Sequence, residues 1–140
     1  MIKNLINYFD PVQEIFLDAV NYNKANTQSE KINTEFTLLC HDNIKVDLYD
    51  EGVRIIIMRT LTFEPDEVFN LSVSFGAYLK FNAKKSEHEW SSINLAEEFR
   101  SNGDFVTAQL MNRITLLIGQ ITSSFGQNPI ITPPTLAKKI

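Results

Sequence analysis

Between Phe69 and Phe81 every second residue is apolar. Phe69, Leu71, Val73, Phe75, Ala77, Leu79 and Phe81 share one parity; Asn70, Ser72, Ser74, Gly76, Tyr78 and Lys80 share the other. Successive side chains of a strand point to opposite faces, so this run has one face to bury and one to show to water. A sheet with an apolar face needs a covering layer, and that requirement limits the whole chain. Residues 53–63 read as a second apolar strand, and the turn-rich link Glu64-Pro65-Asp66-Glu67 predicts a hairpin between the two.

Upstream, residues 14–22 read as a strand and residues 23–31 as a polar loop. Residues 32–41 and 44–48 are either one long bent strand or two short ones, ending at the turn residues Asp50, Glu51 and Gly52. Ile2, Leu5, Ile6 and Phe9 have helical spacing, which predicts a short N-terminal helix stopped by Pro11.

The cover lies downstream. Asn94 with Glu97 three residues later predicts a capped short helix, and Asp104 after Asn102-Gly103 predicts the cap of the next. Leu110, Met111, Ile114, Leu117, Ile118, Ile121 and Phe125 then recur at three- and four-residue steps and form one apolar stripe. Gly126 suits the helix stop, and the tail from Pro129 to Pro134 should run extended along the surface. The fold class expected is α+β: a twisted antiparallel sheet of about four strands under a long C-terminal helix and a short crossover helix. Residues 1–140 fit a single domain.

A formal charge of −4 lacks the basic stripe that a nucleic-acid binder needs to displace counterions. Asn4, Asn7 and Asp10 interrupt the first residues before a secretory apolar core forms, and no apolar run nears the roughly 20 residues of a spanning helix. Cys40 is the one cysteine and has no internal disulfide partner. These features predict a cytoplasmic protein without membrane insertion.

No catalytic constellation emerges, and the expectation is that the chain is not an enzyme and uses no cofactor. Glycine-rich phosphate loops, dinucleotide fingerprints and nucleophile elbows are missing from the sequence. Cys40 and His41 are neighbours in a strand, so their side chains diverge. His88, among Lys84, Lys85, Glu87 and Glu89, reads as part of a solvated loop, and no metal site is expected. Glu64, Asp66 and Glu67 flank a proline in a turn, where solvated acids are the ordinary choice.

The aromatic residues say more. Trp90, Phe99 and Phe105, with Met111 beside them, fall at the crossover between sheet and long helix. Either they pack on the core, or they line an apolar groove for extended peptides. On the second reading, Trp90, Phe99, Phe105 and Met111 are the candidate client-binding residues.

The stretch from Ile118 through Gly126, Pro129, Pro133 and Pro134 to Thr135 resembles the end of SecB, the protein-export chaperone, where a long helix closes at a glycine before a Pro-x-x-x-Pro-Pro tail. The order of elements is similar as well, including Gly76-Ala77 in the long strand. The resemblance implies an ATP-independent holdase for unfolded or precursor polypeptides, assembled as a homo-oligomer, dimer or tetramer. It also implies the translocase motor SecA as a partner. The positions that would contact SecA are Ala19, Asn23, Asn70 and Ser72, and none is acidic. Met111, Asn112, Arg113 and Thr115 likewise stand where the family has a Phe-Pro-Tyr-like stretch and an arginine. The alternative reading is a scaffold or regulatory module on the same fold, binding one folded partner.

Overall fold

Two apolar strands at the centre of one sheet organise the molecule. A computed structural model describes residues 2–24, 37–64, 68–126 and 128–137. The strands are β1 (Phe9–Lys24), β2 (Thr37–Leu48), β3 (Gly52–Glu64) and β4 (Phe69–Phe81). They form an antiparallel sheet in the order β1-β4-β3-β2. The two most apolar strands, β3 and β4, take the centre, where both neighbours satisfy their backbone groups. Val53, Ile55, Ile57 and Leu61 of β3 and Leu71, Val73, Ala77 and Leu79 of β4 are buried on the inner face.

Among the described residues the α-helices are α1 (Leu95–Asn102) and α2 (Asp104–Ser123). α2 lies on β4 and β3, while α1 packs on β2 and on α2. Val106, Leu110, Met111, Ile114 and Ile118 of α2 are buried against the sheet. The Asn94 side chain accepts the Glu97 N–H at 3.3 Å and caps α1. Asp104 does not cap α2. Gly103 holds that place without a side-chain bond, and Asp104 opens the first turn, where its charge meets the positive end of the helix dipole.

Of the two arrangements the sequence leaves open, residues 37–48 take the first, a single strand with a continuous ladder to β3 from Thr37 to Leu48. Three further expectations are corrected. Asn23 and Lys24, expected in the polar loop, are the last residues of β1. The N-terminal segment makes only a 3₁₀ turn, Leu5–Tyr8, and Pro11 stands inside β1. An edge strand tolerates it: the β1–β4 register is irregular between Phe9 and Gln13, and no ladder bond is required of Pro11 there. The third concerns His88, which is half-buried: its ring lies 5.0 Å from Tyr8 and 5.7 Å from Trp90, and Nε2 meets the Tyr8 hydroxyl at 2.9 Å. The rest of the loop expected over residues 23–31, from residue 25 on, and the Pro65-Asp66-Glu67 turn lie outside the described residues.

A second irregularity in β1, between Leu17 and Ala19, turns Asp18 toward the outer face. There its carboxylate accepts the Ser74 hydroxyl at 2.8 Å and lies 3.7 Å from Arg54. Arg54 also sits over the rings of Phe16 and Tyr78, which stack at 5.0 Å. Gly76 makes this stack possible. A Cβ at that position would fall 2.4 Å from the Phe16 ring and 2.9 Å from a carbonyl oxygen of β3.

Candidate functional site

Apart from the Phe16–Tyr78 stack, two aromatic clusters stand at opposite ends of the β1–β4 ladder. One end is marked by the pair Phe9–Phe81, the other by Lys24–Phe69. At the first end Phe9 meets Phe81, Trp90, Phe99 and Phe105, with ring centroids 5.1–6.2 Å apart. The Trp90 indole N–H donates to the Lys85 carbonyl at 2.8 Å, so its polar edge is satisfied too. This end is closed.

The candidate client-binding residues belong to that closed end or to the core beside it. Trp90 is 4% exposed, Met111 1% and Phe99 0%, while Phe105 is half-buried. Of the two readings the sequence leaves open for them, packing is the one that the burial of Trp90, Phe99 and Met111 favours over accessible surface. The crossover wraps onto the sheet end, and Phe9 and Phe81 of the strands supply the rings that receive it.

Among the described residues the second end is open. Tyr22, Phe63, Val68, Phe69, Phe125 and Ile130, with Lys24 at the rim, line a cleft of about 510 Å³. That volume lies in the range of ligand pockets, roughly 300–1,000 Å³. Phe69 forms the floor, with Phe63 at 4.8 Å and Phe125 at 5.2 Å in edge-on contact. Tyr22 stands 4.9 Å from Phe125 and is 43% exposed; Val68 is 39% exposed. The site is built from the end of β1, the adjoining ends of β3 and β4, and the turn after α2. A larger depression of about 670 Å³ lies near the other end of the sheet. Glu14, Asp50, Glu51 and Lys80 line it together with the exposed rings of Tyr49 and Tyr78, so it mixes charge with aromatic surface.

The C-terminal segment closes one side of the cleft through Ile130 and continues, extended, across the inner layer. Its anchor is Arg59, on the inner face of β3 opposite Asp42 of β2. The two side chains are 1% and 0% exposed, and the guanidinium binds both carboxylate oxygens, each at 2.7 Å. Its remaining N–H groups donate to the Thr132 hydroxyl at 2.9 Å, to the Pro133 carbonyl and to the Thr135 carbonyl at 2.8 Å. All five donors of the guanidinium are thus used. Asp42 also accepts the Ala137 N–H at 2.7 Å.

Burial works against the charged guanidinium, but the hydrogen bonds and the field of Asp42 outweigh it and hold the Arg59 pKa above its ordinary value. Cys40, two residues from Asp42 on the same face, has its thiol pushed up, first by burial. A raised thiol is a poor nucleophile, and His41 points to the opposite face, paired across from Thr60. Among the described residues no three His, Cys, Asp or Glu side chains group to hold a metal ion. No helix among them is long and apolar enough to cross a membrane.

No protein-family model matches this sequence, and no curated protein matches it significantly. Solved structures do match. The Mycobacterium tuberculosis SecB-like chaperone Rv1957, solved with a ChAD peptide from the Rv1956 HigA1 antitoxin, aligns with a TM-score of 0.70. The alignment covers 92% of this chain and 88% of that one, at 14% identity. The fold is SecB-like. A Streptococcus agalactiae protein of unknown function aligns at a TM-score of 0.43 and 15% identity, over 87% of this chain and 95% of that one. The SecB-like architecture agrees with the α+β expectation, down to the antiparallel sheet and its two covering helices.

The open cleft escaped the sequence reading. In the sequence Phe69 and Phe125 each lie on an apolar stripe, and Tyr22 and Phe63 at the ends of strands, but nothing in one dimension brings four such ends together. The available signal was that all four stand at or next to the end of an element, where an aromatic ring has fewer neighbours to cover it.

Proposed function

We propose that this chain is an ATP-independent holdase that takes apolar segments of extended, unfolded polypeptides in the Tyr22–Phe125 cleft. One observation carries the reading: an aromatic-lined cleft stays open at one end of the sheet while the matching cluster at the other end is closed. Aromatic rings offer large contact area at low cost in side-chain freedom, which suits varied clients. The SecB-like fold supports it, because a chaperone with that fold has been solved holding a peptide. A cytoplasmic location belongs to the same reading. Export through SecA draws no support from the sheet, where Ala19, Asn23, Asn70 and Ser72 are uncharged.

The test pairs Tyr22→Ser with Val68→Ser, two exposed lining residues. Each buried apolar side chain contributes about 1.5–3 kcal/mol. Affinity for an unfolded client, read by fluorescence anisotropy, should therefore fall at least about tenfold while melting changes little. Unchanged affinity in a folded variant would remove the cleft as the client site. As a control, Trp90→Ser with Phe105→Ser should lower the melting temperature, with client binding failing only as the fold fails.

The second reading, a scaffold for one folded partner, draws on the outer face, where Tyr78, stacked on Phe16, is 44% exposed and Met58 is 38% exposed. Suppression of aggregation of several unrelated clients selects the holdase; binding of a single folded partner selects the scaffold. The holdase reading includes a homo-oligomer, dimer or tetramer. β1 and β2 are sheet edges, each paired along one side within the chain, and such edges are commonly paired or protected. Light scattering at micromolar concentration should return a multiple of the 16.0 kDa protomer mass. A strictly monomeric mass would refute this part of the reading.

A further inference from the structure

Residues 130–137 lie across the inner layer as an extended ligand lies in a trough. We propose that they are a resident occupant of the polypeptide-binding site, held by Arg59 and Asp42 and displaced when an extended client segment enters. The inference rests on the polypeptide-binding reading above and names what fills that site before a client arrives.

The contacts are mostly to main chain. Thr122 accepts the Ile130 N–H at 2.8 Å, Arg59 donates to the carbonyls of Pro133 and Thr135, and Asp42 accepts the Ala137 N–H. Every polypeptide carries such groups, so the trough holds an extended chain with little regard to sequence. Strand-like recognition elsewhere works in the same way, with main-chain bonds giving affinity and pockets giving selectivity. Here the pocket is the aromatic cleft, and Ile130 lines it. A client side chain entering the cleft therefore meets the first residue of the resident segment.

Apolar burial secures the segment only in part: Ile130 and Leu136 pack partly buried against the core and Thr132 is buried. Ile131 is 72% exposed, so little apolar burial secures it at that point. When it departs, Arg59 and Asp42 keep their two mutual hydrogen bonds, and neither charge is left without its counter-charge. The carbonyls that Arg59 loses are replaced by those of the client or by water. A site that is occupied for part of the time has an apparent affinity reduced by the fraction that is open. The segment would thereby set how tightly clients are held.

The hydroxyl oxygens of Thr115 on α2 and Thr132 on the segment lie 3.4 Å apart. A Thr115→Cys, Thr132→Cys pair in a Cys40→Ala background should form a disulfide that locks the segment down. The probe is fluorescein-labelled, reduced and carboxymethylated α-lactalbumin, an unfolded chain without free thiols, followed by anisotropy. The oxidised protein should bind it at least about tenfold more weakly than the same preparation after reduction. On the wild-type protein, a synthetic peptide of residues 128–137 should compete with the probe. Equal affinity in the two redox states overturns the inference and leaves polypeptide binding standing, as does a peptide that fails to compete. No binding in either state or to wild type overturns the polypeptide-binding reading and this inference with it.

Discussion

Arg59→Met should cost the fold about 3–5 kcal/mol, because it leaves the Asp42 carboxylate buried without its counter-charge. Asp42 is 0% exposed at its side chain, so the orphaned charge has no route to water without local opening. The same substitution removes the donors to Thr132, Pro133 and Thr135, which loosens the C-terminal segment at once. A loss of this size is a large fraction of the 5–15 kcal/mol by which domains are stable. Asp42→Leu alone should be comparably damaging, since it strands the guanidinium. The double variant Arg59→Met, Asp42→Leu should recover much of the loss, because two apolar side chains can replace a buried pair without orphaning either charge. Urea unfolding of the four proteins closes this cycle. Wild-type stability in Arg59→Met would show that the pair is solvated in solution.

Ile118→Asp should be still more severe, at more than about 4 kcal/mol, and should leave little soluble, cooperatively folded protein. Ile118 is 0% exposed in the middle of the α2 stripe, between Ile114 and the Thr122 turn that receives the Ile130 N–H. A carboxylate there loses the apolar contact and gains no partner. Circular dichroism melting is the measurement, with Leu116→Asp as the comparison: Leu116 is 63% exposed on the opposite side of the same helix and should tolerate the charge. Equal melting of the two variants would mean that the buried face of α2 has been misassigned.

The contrast between these two helix positions marks how far the sequence reaches. Periodicity alone placed Ile114 and Ile118 on the buried stripe, put β4 at Phe69–Phe81, and called for a covering helix, because one-sided burial imposes a repeat of two on a strand and about three and a half on a helix. Asn94 as a cap was equally legible, since capping is settled within four residues. Pro11 misled for a related reason. Locally it ends a helix, but the sheet gave it an edge position where its missing N–H costs nothing.

What only the tertiary structure decided concerns residues far apart in the chain. Trp90, Phe99, Phe105 and Met111 carry no mark in the sequence to separate packing from recognition; meeting Phe9 and Phe81 at one end of the sheet makes Trp90 and Phe99 core and packs Phe105 against them, and Met111 is buried on the sheet-facing side of α2. Tyr22, Phe63, Phe69 and Phe125 are no more apolar, yet their end of the sheet is open and theirs is the cleft. Arg59 is the clearest case. In sequence it is a charge interrupting an apolar strand, and its meaning depends on Asp42 across the ladder and on a tail that returns from more than seventy residues downstream. Burial of a residue type follows from local pattern, whereas which surface remains open depends on what the rest of the chain covers.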